Sequence, residues 1–155
     1  MTQRFLSILS AVALSAILAA PTPSRATSIK DLNYLVGTWN CASGHQKYTQ
    51  TWAYVVAGAY LRGTDNGAGM HSAAEHTITV AKDGSTVNGV DLFPGGMDVM
   101  RGTGSSGQAT LHAVFPPQMN THVVFHRTSA AKYTVDVSGS ERGKAFKEHS
   151  VCTKA

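Results

Sequence analysis

The chain is poor in several things, and each scarcity removes a class of protein. Of its 155 residues only 2 are cysteine, so neither a cysteine-dense disulfide scaffold nor a four-cysteine zinc site can be built. The two are far apart, without a Cys-x-x-Cys motif, which excludes a catalytic dithiol of that type. Charged residues make up only 14% of the chain. No Lys/Arg cluster marks a nucleic-acid footprint, since Lys144, Lys147 and Lys154 are spread along one late segment. No Gly-x-Ser-x-Gly elbow is present, so a hydrolase of that design is not readable. The glycine-rich stretch Gly102–Gly107 does not join a strand to a helix, and the phosphate-loop reading fails on its context. Helical periodicity is also scarce: after residue 36 no stretch holds it for two turns.

What is present begins with a leader. Arg4 precedes an apolar run from Phe5 to Ala20, and Ser24 and Ala26 supply a small-x-small exit. This is the form of a secretory signal peptide over residues 1–26, too short for a membrane span of roughly 20 apolar residues. Arg4 and Arg25 leave with it and no acidic residue does, so half of the formal charge of +4 belongs to the leader. Residues 27–155 remain, enough for one domain with its own core. The expected destination is periplasmic or secreted.

Export sends Cys41 and Cys152 to an oxidising compartment. An intramolecular bridge is the leading reading; two buried thiols or an intermolecular bridge are the alternatives. A bridge requires Cα atoms within ~7 Å, which would bring the first and last strands together.

Ser28 to Val36 reads as the one helical segment, short enough to be 3₁₀, capped by Ser28 and stopped at Gly37. From Gly37 the period becomes two. Trp39 and Cys41 alternate with Thr38 and Asn40, and Tyr48, Gln50, Trp52 and Tyr54 follow. Further strand patterns run over 59–65, 75–82, 86–93, 97–102, 109–115, 121–128, 132–138 and 144–153. The links between them carry turn residues, among them Asp83-Gly84 and Pro94-Gly95-Gly96. The pattern predicts an all-β fold: a closed up-and-down antiparallel barrel of about ten strands with a short N-terminal helix.

At Leu35-Val36-Gly37-Thr38-Trp39, followed by Gly44, the chain resembles the calycin group: lipocalins, fatty-acid-binding proteins and nitrobindins. It also looks like uncharacterised bacterial secreted lipocalin-like domains. The resemblance implies that Gly37 and Trp39 form a barrel-end motif, with the indole across one end. Nitrobindin-like proteins bind haem through a histidine on the last strand, and His149 is the residue at that place here. A last-strand Cys152 turned inward toward Cys41 would turn His149 outward.

The remaining histidines predict no metal centre. His122 and His126 are four apart, which on a strand is about 13 Å, too far to share one ion. The barrel interior is therefore the candidate site. Parity with Trp39 places Tyr48, Trp52, Tyr54, Tyr60, Arg62, Ile78, Val80, Phe115, Phe125 and Tyr133 inward. Of these Trp52, Tyr54, Tyr60, Arg62, Phe115, Phe125 and Tyr133 are the candidate ligand contacts. Arg62, Arg101 and Arg127 lie within strand patterns; an arginine facing the lumen would meet a carboxylate, and the alternative is a solvated outer face. Three functions fit: a monomeric barrel binding a small, partly apolar ligand; a haem protein or enzyme on the same barrel; or an envelope protein with a filled barrel. The first is preferred, with no catalytic residue assigned, no cofactor required and neither nucleic acid nor a membrane span after signal removal as partner.

Overall fold

In the structure, a computed structural model, residues 27–56, 58–67, 74–141 and 143–155 are described. The expected signal segment 1–26, the loop residues Ala68 and Gly69, and His71 lie outside them. Among the described residues no helix is long and apolar enough to cross a membrane.

A 3₁₀ helix covers Ile29–Leu35, where helical spacing begins and ends in the sequence. Ser28 and Asp31 close its first turn: the Ser28 backbone N–H donates to Asp31 Oδ2 at 2.7 Å. Leu32 and Leu35 are fully buried. Ten strands follow: β1 (Gly37–Ser43), β2 (Gln46–Val55), β3 (Tyr60–Gly67), β4 (Glu75–Val80), β5 (Val87–Phe93), β6 (Gly96–Ser105), β7 (Gln108–Phe115), β8 (His122–Ser129), β9 (Lys132–Glu141) and β10 (Lys144–Lys154). Each pairs antiparallel with its sequence neighbours, and β1 pairs with β10, so the meander closes into a barrel. Closure leaves no strand edge unpaired.

The seam between β1 and β10 holds the two cysteines. Cys41 stands directly opposite Cys152, with Cα atoms 4.0 Å apart and sulfurs at 2.00 Å. Both are buried, in phase with Trp39. The last strand is thereby tied to the first.

The core occupies the half of the barrel next to the helix. Trp39, 1% exposed, lies across this end, and its indole N–H donates to the Leu35 carbonyl at 2.6 Å. Lys154 sits over the ring at 4.3 Å and donates to the Val36 carbonyl at 2.7 Å. Trp52, Leu61, Ile78, Val87, Leu111 and Tyr133 belong to the cluster, and Met100, Val123, Phe125 and Val135 carry it to the floor of the open half. Gly37 has a φ of 122°, a backbone conformation that side-chain-bearing residues rarely adopt, so the barrel-end motif needs its glycine for turning.

Candidate functional site

The half of the barrel away from the helix is open. A cavity of about 530 Å³ runs inward from the rim formed by Phe93, Pro94, Met119 and Phe146. That volume falls in the range of small-molecule pockets, roughly 300–1,000 Å³. Its walls are largely apolar: Met100, Val123, Phe125, Val135 and Val137. The barrel is thus filled at one end and hollow at the other.

Polar groups gather on the β2–β6 side of the lumen. Register makes the arrangement. Trp52 pairs with Gly63, Gly63 with His76, His76 with Asp91, and Asp91 with Asp98. Cross-strand partners share a face, so these five inward positions form one row around the wall. Gly63 is the open place in it. A Cβ there would lie 2.8 Å from the Trp52 ring, and without one the indole reaches across to stack on His76, with centroids 5.8 Å apart and planes at 27°.

Gln50 and Asp65, paired one step nearer the rim, connect to this row. Gln50 Oε1 accepts from the Trp52 indole N–H at 2.8 Å and from the Tyr133 hydroxyl. Its amide N–H donates to Asp65 Oδ1 at 2.7 Å. His76 then bridges two carboxylates, donating from Nε2 to Asp65 Oδ2 at 3.1 Å and from Nδ1 to Asp91 Oδ1 at 2.8 Å. Burial by itself would lower the His76 pKa. The two carboxylates more than offset it and raise the pKa from 6.5 to about 10, so His76 is an imidazolium at neutral pH. Every ring N–H is used inside the network.

Two buried atoms on the cavity wall have no such partner. Asp98, 6% exposed, leaves Oδ1 without a hydrogen bond, and Thr121, also 6% exposed, leaves Oγ1 without one. Burial, and then the neighbouring Asp91, push the Asp98 pKa above the usual carboxylate range. An orphaned buried polar atom costs about 1–3 kcal/mol, so each is a place where a ligand group would be favoured.

The structure brings together some of the residues expected from the sequence and separates others. Phe125 lines the cavity, and Trp52 and Tyr133 are bonded to Gln50 on its wall. Tyr54 keeps the inward phase but lies at the helix end, where its hydroxyl meets the Ile29 carbonyl at 3.5 Å. Tyr60 and Arg62 are on the outer face, a correction to their expected placement. The turn after β2, with Val56 at φ 51° and Gly58 at φ 81°, brings Leu61, Gly63 and Asp65 inward instead. Arg62 pairs with Glu75 at 2.6 Å, both side chains about half exposed. Arg101 and Arg127 are exposed as well, so none of the three strand arginines faces the lumen.

Phe115 is a second correction. A register shift pairs Val99 with Phe115 but Met100 with Ala113, leaving Val114 as the extra residue. The bulge reverses the phase, and Phe115 is 51% exposed beside outward Val99. His149 is a third. It alternates with inward Ser150 and Cys152, faces away from the cavity, and bonds Asp136 at 2.7 Å on the outer surface. Its placement does not suit a haem ligand within the barrel.

Sequence reasoning missed Gln50, Asp65, Asp91, Asp98 and Thr121 as site residues. His76 had the right phase in its alternation with Thr77, and that was the available signal; its carboxylate partners come from neighbouring strands whose register no local pattern sets.

No family model and no curated protein matches the chain. Among solved structures it is similar to a redesigned β-barrel, b11L5F_LGL, at 11% identity and a TM-score of 0.41, over 83% of this chain and 99% of that one. It is similar also to EF1p2_mFAP2b bound to DFHBI, at 10% identity and a TM-score of 0.42, over 83% of this chain and all of that one.

Proposed function

We propose that this chain is an exported, calycin-like container: a signal peptide over residues 1–26 and a monomeric barrel over 27–155 that binds a small, partly apolar molecule in the periplasm or outside the cell. The observation that carries the reading is the cavity, about 530 Å³ with mostly apolar walls, lined also by Asp98 and Thr121, each of which has a buried polar atom without a partner. An interior meant only to be filled gains nothing from leaving Asp98 Oδ1 and Thr121 Oγ1 without partners. The Cys41–Cys152 pair supports an oxidising destination. Gly37 and Trp39 support the calycin likeness by the way the indole closes the helix end. Binding is favoured over catalysis because His76, the histidine on the cavity wall, has both N–H groups committed to carboxylates.

Native mass spectrometry of protein purified from its own host tests this. The expected result is a retained small molecule that is released on denaturation. Only the ligand-free mass, together with no fluorescence gain when the neutral dye Nile red is added, overturns it.

A further inference from the structure

Among the described residues, the ionisable groups on the cavity wall are Asp65, Asp91, Asp98 and Glu148 against the imidazolium of His76, with Tyr48 beside them. No lysine or arginine lines it among the described residues. The sign is opposite to that of the whole chain, which carries a formal +4. An anionic ligand would find no free charged donor among the described residues, because His76 already gives both N–H groups to Asp65 and Asp91. A donor-bearing cation finds an acceptor in the Asp98 carboxylate, which lines the cavity and whose buried Oδ1 has no hydrogen-bond partner among the described residues.

We infer that the ligand class is a protonated organic amine: an ammonium head donating to the cavity-facing oxygen of the Asp98 carboxylate, with an apolar body along Met100, Val123, Phe125 and Val135. Asp98 is what selects it. A buried carboxylate beside Asp91 is disfavoured by desolvation and by its like-charged neighbour, and an ammonium relieves both. A neutral alcohol can donate one hydrogen bond to the same oxygen but brings no charge, and a carboxylate adds a further negative group to an already acidic wall. The inference rests on the container reading above and narrows it.

A matched series separates the two ideas: 4-phenylbutylamine, 4-phenylbutanol and 4-phenylbutyrate, titrated calorimetrically into the disulfide-bonded protein at pH 7. The amine is expected to bind about ten-fold or more tighter than the alcohol, the size of one charge-assisted hydrogen bond, and the carboxylate weakest. In Asp98→Asn the amine falls to the affinity of the alcohol, and retained alcohol binding shows that the variant is folded. Should Asp98→Asn fail to fold, the order of the three ligands on the wild-type protein decides. Carboxylate or alcohol binding as tightly as the amine overturns the amine class while leaving the container. An amine preference that survives Asp98→Asn in a folded variant overturns the role of Asp98. If none of the three binds, the amine class falls, and the container falls with it only if protein from the host is also empty.

Discussion

His76 shows how one residue can set the character of the lumen. Its imidazole sits between buried Asp65 and half-buried Asp91 and against the Trp52 indole, a place where a neutral ring would leave the two carboxylates uncompensated. The folded-state pKa, about 10, lies above the ordinary 6.5, so folding favours the proton. The stabilisation is therefore fully present below pH 6.5, declines as pH rises, and is gone above about 10. Urea midpoints of the wild-type protein should fall between pH 7 and 10, and those of His76→Gln should lack that fall while being lower at pH 7. Parallel profiles for the two proteins would contradict the assignment. In the sequence His76 only shares the alternation of Ile78 and Val80, and its role is not legible there, because its partners stand 11 and 15 residues away on separate strands.

At the scale of elements, the decisive pair is β1 with β10. Closure of a meander joins its two ends, and a loop of over a hundred residues must be ordered to do it. The Cys41–Cys152 link, with a sequence separation of 111, removes much of that freedom from the unfolded chain. The chain-entropy model gives up to ~4.7 kcal/mol for such a loop. Replacing both cysteines by alanine should lower the unfolding free energy by a few kcal/mol, read by denaturant titration, while the barrel still forms because the β1–β10 register is otherwise intact. A double variant as stable as the wild type would show that strand pairing alone holds the seam. Strand alternation was legible for β1, β2 and β4. It misplaced β3 by one residue at the turn after Val55 and lost its phase in β7 at the bulge near Val114, since both features depend on how two strands meet.

The whole molecule is a barrel with unequal halves. The helix, Trp39 and the core cluster seal one end, and the other end keeps a cavity. A ligand that binds only the folded barrel at about 100 times its dissociation constant should add about 2.7 kcal/mol of stability. Val137→Trp places a large ring in the cavity at a partly buried wall position on the margin of the core cluster. It should remove the increase in melting temperature that 4-phenylbutylamine causes in the wild-type protein while leaving the ligand-free melting temperature within a few degrees. A preserved ligand shift in Val137→Trp would place binding outside the cavity. The acidic wall is likewise a property of the closed molecule: Asp65, Asp91 and Asp98 turn inward, while Arg62, Arg101, Arg127 and Asp136 turn outward.

The sequence by itself determined that the chain is β throughout after residue 36, that about ten strands follow one short helix, and that Gly37, Trp39 and Cys41 open the first of them. Those conclusions rest on local quantities: period, turn residues and the reach of a cysteine pair. Tertiary structure alone decided which face of β3 and which end of β7 look inward, and hence that the lumen is lined by Asp65, Asp91 and Asp98 rather than by Arg62. It also decided that half the barrel stays hollow. The physical reason is that a strand's phase is reset wherever a turn or bulge adds a residue, and a one-residue reset exchanges every side chain between core and solvent. Whether a barrel is filled depends on the summed volumes of residues from many strands, a sum that exists only after closure.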